Sequence, residues 1–144
     1  DPKADKNLQK IKEDAIESLN NISKNLDGES LEKDLKKLKL FINNSVVGMS
    51  KFLHFSFPDE YPIWDSRVES VLYKTTYPKW DPTKSNYHRI KIIGNYMEYR
   101  KSCLELIKDN KNGLIKKFDK YEELKGLRDL RKIEFLLFLK GGKK

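Results

Sequence analysis

The sequence predicts an all-α protein. Apolar residues recur at intervals of three and four through most of the chain, the period of a one-sided helix. No segment alternates apolar and polar residues long enough to make a convincing strand, and no internal repeat is visible. Proline, asparagine and glycine clusters cut the helical pattern into short pieces without sustained heptads, so the expected architecture is a compact orthogonal or irregular bundle of about seven helices rather than a coiled coil. At 144 residues one helical domain is expected over positions 1–144, and numbering that opens on Asp1 is compatible with that domain being part of a longer chain.

From Asp5 to Leu26 the residues Leu8, Ile11, Ala15, Ile16, Leu19, Ile22 and Leu26 form one helical face. Gly28 is placed to close that helix, and Ser30 to cap a second whose apolar face is Leu31, Leu35, Leu38, Phe41 and Ile42. Asn43, Asn44 and Ser45 interrupt the pattern. A third helix is expected from Val46 or Val47 to Phe55, with Val47, Phe52 and Phe55 among its apolar positions and Gly48 as a point of close backbone approach. Pro58 and Pro62 then exclude a continuous helix, so 57–64 is a loop, and an unusually apolar one. Asp65 is placed to cap a fourth helix carrying Val68, Val71 and Leu72. A second aromatic and proline-rich connection, from Tyr77 through Trp80 to Pro82, leads to Ser85, the expected cap of a long helix from Tyr87 to Lys108. Ile90, Ile93, Met97, Leu104 and Ile107 supply its face, and Gly94 is its weak point. After a turn at Asp109 to Gly113, two last helices are expected, one with Leu114, Ile115, Phe118 and Tyr121, the other with Leu127, Leu130, Ile133, Leu137 and Phe138.

Composition narrows the classes of function. The 38% apolar and 11% aromatic content suffices for a core, which argues against wholesale disorder. One cysteine, Cys103, excludes a disulfide framework, a multi-thiolate zinc cage and a four-cysteine iron–sulfur cluster within the chain. With only His54 and His88 as imidazoles, neither a metal nor another cofactor is expected. The longest run free of charged residues, Leu40 to Ser50, is too short to cross a bilayer, so the expectation is a soluble, intracellular, cytoplasmic protein with no membrane partner. Charge is unevenly placed: the chain carries +8, residues 1–34 carry −3, and the remainder carries +11. That surplus favours a polyanionic partner such as DNA, because each neutralised phosphate releases a counterion. A merely soluble lysine-rich surface has the same composition.

One stretch is more particular than generic helical packing. Ser50-Lys51-Phe52-Leu53-His54-Phe55 is followed by the proline-bearing loop and then by Pro62-Ile63-Trp64-Asp65-Ser66-Arg67-Val68. This arrangement resembles the catalytic region of the helix-hairpin-helix DNA glycosylase superfamily, in which a lysine-bearing helix leads through a short loop to Pro, an apolar residue, Val, Asp, Thr, His and Val. Pro62, Ile63, Asp65 and Val68 match that pattern, and Trp64, Ser66 and Arg67 depart from it. The resemblance covers about residues 45–72, and the terminal Leu127 to Phe135 looks like the closing helix of glycosylase-like relatives.

The resemblance implies a helix-hairpin-helix glycosylase-like bundle that binds DNA and cleaves an N-glycosidic bond. Asp65 would stabilise the positive charge that develops on the sugar, and Lys51 would attack the anomeric carbon and form a Schiff base. His54, three residues beyond Lys51, would contact phosphate or assist proton transfer. Gly48 and Ser50 at the start of the lysine helix, and Ser66 and Arg67 at the start of the next, would contact the phosphate backbone. Tyr61 and Trp64 would stack on a flipped base. Because only Ser56 to Trp64 separates the two helices, Lys51 and Asp65 are expected to open onto one groove, with His54 nearby and Tyr61 or Trp64 lining it.

Each residue also has a plainer use. Asp65 explains itself as a helix cap, Lys51 as a solvated lysine, His54 as a hydrogen-bonded packing residue, and the aromatic residues as staples that fix the loops to the core. Arg67 can pair with Asp59 or Glu69. The alternative function is therefore a non-catalytic helical module that binds nucleic acid or another protein.

Overall fold

A computed structural model of the chain describes residues 1–24, 29–75, 85–109 and 113–142. Nine helices and no strand occur among the described residues. They are α1 (Pro2–Lys24), α2 (Glu29–Phe41), α3 (Val46–Ser56), α4 (Ser66–Thr75), α5 (Asn86–Arg89), α6 (Ile93–Asp109), α7 (Leu114–Phe118), α8 (Glu122–Lys125) and α9 (Asp129–Gly142). The all-α class matches the expectation. The count exceeds seven because two expected helices are each divided. The long helix breaks at 90–92, just before Gly94, into α5 and α6, and the helix expected from Leu114 to Tyr121 stops at Phe118, with a separate turn of helix in α8. Gly28, Tyr77 and Trp80 lie outside the described residues. Ser30 sits within the first turn of α2 instead of capping it, since the helix already includes Glu29.

α1 and α2 form an antiparallel hairpin, α2 packs on α3 and α6, and α9 packs on α4, α6 and α7. At about 1.5 Å per residue, the 13 residues of α2 reach only half of the 23 residues of α1. Hence Ala15, Ser18 and Ile22 are buried while Leu8, beyond the reach of α2, stays exposed; Ile16, next to Ala15, is exposed because it turns to another side of α1. One cluster of buried residues joins α1, α2, α3, α4, α6 and α9, with Leu35, Met49, Leu53, Trp64, Tyr96 and Tyr99 among its most enclosed members.

The connection from α2 to α3 is a two-residue left-handed step. Asn43 and Asn44 have φ of 56° and 51°, a region that asparagine tolerates better than most L-residues. They deliver Ser45 in extended conformation, where its Oγ accepts the Gly48 N–H at 2.9 Å and caps α3. Gly48 is the close approach: a Cβ there would stand 3.2 Å from Cγ2 of Ile42. α3 then turns its Val46, Met49, Ser50 and Leu53 face inward, which leaves Phe52 and Phe55 exposed. Of the expected apolar positions Val47, Phe52 and Phe55, Val47 packs against the core and the two phenylalanines face solvent.

A buried ion pair fixes α4 against α5. Glu69, fully enclosed, accepts from Arg89 Nε and, at 3.2 Å, from Arg89 Nη2, while Asn86 Nδ2 donates to the same carboxylate. The Arg89 guanidinium lies 3.7 Å from the centre of the Tyr73 ring. Both carboxylate oxygens are thus satisfied, as a buried charge requires.

The fold makes two expectations measurable. Ser45→Ala should lower the free energy of unfolding in a urea titration by about 1 kcal/mol through the lost cap, whereas Asn44→Gly, which suits positive φ, should not lower it.

The second concerns alkaline pH. Burial pushes the Cys103 thiol from 9.0 up to about 12 and holds the Tyr96 and Tyr99 phenols well above 10.0. Above pH 9 the unfolded chain releases these protons and the folded chain retains them, so the unfolded state binds fewer protons. Stability should therefore be fully present below pH 9 and fall steadily between 9 and 12, with urea midpoints dropping across that window. At pH 8, a thiol reagent should modify Cys103 only as fast as the chain opens.

Candidate functional site

The segment between α3 and α4, residues 57–65, is irregular yet largely buried, with Tyr61, Pro62 and Trp64 enclosed. Its backbone is satisfied only in part by itself and by α3, with the Phe57 N–H on the Leu53 carbonyl at 2.7 Å and the Glu60 and Tyr61 N–H groups on the Phe57 carbonyl at 3.1 Å, so side chains from surrounding helices take other hydrogen bonds of the segment. His54 Nδ1 lies 2.9 Å from the Tyr61 carbonyl oxygen, and Ser50 Oγ accepts the Trp64 N–H at 2.9 Å, both from α3. From α6, Arg100 Nε donates to the Glu60 carbonyl at 2.8 Å and the Tyr96 hydroxyl donates to the Pro62 carbonyl at 3.0 Å. From α9, Glu134 Oε1 accepts the Ile63 N–H at 2.6 Å. The Trp64 indole closes the set by donating to the Ile90 carbonyl at 2.8 Å, and its ring packs on Tyr96 and Tyr99.

This anchoring shapes a cleft of about 400 Å³ lined by Lys51, Ile63, Asp65, Val68, Arg131, Glu134 and Phe135. Its volume is in the range of small-ligand sites. Lys51 is exposed and forms no ion pair among the described residues. Asp65 is half-buried; its Oδ1 accepts the Val68 N–H at 2.9 Å, the geometry of an N-cap, and it lines the cleft at the same time. Glu134 is buried beneath, its Oε2 accepting from Arg131 Nη1 at 3.0 Å and its Oε1 standing 3.4 Å from His54 Nδ1. Two cationic and two carboxylate side chains thus meet around an apolar wall of Ile63, Val68 and Phe135.

The structure brings together Lys51 and Asp65 and sends most of the other expected site residues elsewhere. Tyr61 and Trp64 are both fully enclosed, so neither presents a ring to the cleft for stacking; they fasten the loop to the core. His54 points under the loop toward Tyr61 and Glu134 and does not line the cleft, because Nδ1 is committed to the Tyr61 carbonyl. Ser50 is buried, donating to the Val47 carbonyl at 2.8 Å and accepting from Trp64, which removes it from any phosphate. Gly48 spends its N–H on Ser45 and its bare Cα on the approach to Ile42. Ser66 and Arg67 are exposed on the first turn of α4. Asp59 and Glu69, considered as partners of Arg67, pair with Arg128 and Arg89.

The sequence does not single out Arg131 and Glu134 as site residues. Their only signal is a carboxylate interrupting the apolar face of the last helix, in Ile133-Glu134-Phe135, where a surface position would leave it solvated. No metal-binding group of three or more His, Cys, Asp or Glu side chains occurs among the described residues. Nor is any described helix long and apolar enough to cross a membrane. Comparison with protein-family models, curated proteins and solved structures returns no match to this chain.

The loop anchors can be tested singly. Ser50→Ala leaves the enclosed Trp64 N–H without an acceptor and should cost about 1–3 kcal/mol of stability. Glu134→Gln, which keeps an oxygen for the Ile63 N–H, should cost less than Glu134→Ala in the same denaturation assay.

Proposed function

We propose that this chain is a DNA-binding helical domain related to the helix-hairpin-helix DNA glycosylases, with the Lys51 and Asp65 cleft acting on the N-glycosidic bond of a damaged base. The observation that carries the reading is that a lysine with no ion pair among the described residues and a half-buried carboxylate, at the ends of one short loop, line one cleft. The surplus of basic residues after position 34 supports DNA as the polyanion.

In this reading the Lys51 amine, once deprotonated, attacks the anomeric carbon. The bond to the base breaks, its electron pair leaves with the base, and the base takes up a proton. Asp65 stabilises the positive charge on the sugar as that bond lengthens. Ring opening gives a Schiff base between Lys51 and the sugar, which water hydrolyses. Arg131, half-exposed at the cleft wall, supplies a cation for the neighbouring phosphate while Glu134 orients it. The cap that Asp65 provides to α4 is compatible with this role, since one oxygen serves the cap.

The second reading, a nucleic-acid-binding module without the chemistry, is favoured by the structural work found for Ser50, His54, Tyr61 and Trp64. Two substitutions separate the readings. Asp65→Asn keeps the cap, so the melting temperature and DNA affinity should hold while release of base from damaged duplexes falls by about 100-fold or more. Lys51→Gln should abolish the adduct that borohydride traps with the wild-type chain. Full base release by Asp65→Asn removes the mechanism proposed here, and no adduct and no release by the wild type leaves the non-catalytic module. Affinity for DNA should fall steeply as salt rises.

A further inference from the structure

The burial of Tyr61 and Trp64 leaves Phe135 as the aromatic side chain in the cleft lining, and the exposed side of α3 adds further rings beside it. Phe55 is 83% exposed and Phe52, one turn earlier, is 37% exposed. Both are large apolar rings facing solvent on a helix whose opposite side, Val46, Met49 and Leu53, is fully used in the core. Phe55 follows Lys51 by four residues, so the two side chains stand on the same side of α3, one turn apart. The ring is also braced edge-on by His54, with centroids 6.2 Å apart at 68°.

Charge selects the occupant. α3 contains no carboxylate, and its one permanently charged side chain is Lys51. The adjoining cleft wall adds Arg131. An apolar ring next to a cation that has no ion pair among the described residues suits a ligand presenting a flat π-face beside a negative charge, which is the chemistry of a nucleotide in a strand. We propose that Phe55, with Phe52 beside it, is a stacking platform for a nucleobase of the bound strand, positioned so that the strand's phosphate meets Lys51. This rests on the nucleic-acid reading above and adds the residue that holds the base.

The test uses the full chain and a fluorescein-labelled single-stranded oligothymidylate, with binding followed by anisotropy at several salt concentrations. Phe55→Ala should weaken binding by about fivefold or more, the loss of one stacked base, and leave the slope of log affinity against log salt unchanged because no phosphate contact is removed. A ring so exposed should leave the melting temperature unchanged. Phe55→Trp should restore affinity, and its added indole emission should be quenched by the oligonucleotide. Unchanged affinity in Phe55→Ala, or an indole at 55 whose emission ignores the oligonucleotide, overturns the platform while leaving nucleic-acid binding in place. A wild-type dimer that Phe55→Ala converts to monomer, with affinity unchanged, assigns the ring to self-association and overturns it as well. Wild-type chain that binds no oligonucleotide at low salt overturns both this inference and the reading beneath it.

Discussion

Everything near the cleft depends on an irregular stretch of backbone, residues 57–65, being buried with its polar groups satisfied by side chains. A helix or sheet would meet those needs internally; this loop meets only part of them, through the Phe57, Glu60 and Tyr61 N–H groups. Five side chains from three helices replace the missing ladder: Ser50 and His54 on α3, Tyr96 and Arg100 on α6, and Glu134 on α9. Each of these contacts is modest alone, about 1 kcal/mol net, but the loss of one partner strands a buried group at greater cost. The loop is therefore held as a unit, and that anchoring sets the position of Asp65 at its end.

That arrangement explains how a cap can also face a cleft. An N-cap residue is by nature at the mouth of a helix, with one oxygen turned to the backbone N–H groups. Where the preceding chain is solvent-exposed, its other oxygen faces bulk water. Here the chain leading to α4 is pinned by Glu134 from below and Trp64 from behind, and the capping carboxylate is half-buried against the wall formed by α9. Lys51 reaches the same space because Ser50, its neighbour, is the residue that ties α3 to the loop. Alternate positions on one turn thus divide between anchoring and access.

Much of this was legible in the sequence, and the failures have physical causes. The helical class, the loop at Pro58 and Pro62, the cap at Asp65 and the sharing of a cleft by Lys51 and Asp65 follow from local chemistry and a short connection. Both sides of α3 are apolar, so its sequence does not say whether Val46, Met49 and Leu53 or Phe52 and Phe55 turn inward. α6 hid its most buried residues because tyrosine and arginine are read as surface residues until a loop carbonyl needs them. Glu134 was invisible for the same reason. Its partner, the Ile63 N–H, lies 71 positions away, and no local pattern encodes a bond of that separation.

The same long separation orders events during synthesis. A chain emerging from the ribosome presents α1, α2 and α3 early, and their hairpin and corner contacts can form as they appear. The loop leaves next, with its apolar residues and prolines, but the carboxylate that receives the Ile63 N–H has not yet been made. Until the segment containing Glu134 has cleared the exit tunnel, Trp64 and Tyr61 have only part of their enclosure and the cleft has no floor. The site is thus completed only once α9 has been made, and the loop that carries Tyr61 and Trp64 waits across 71 positions for its partner.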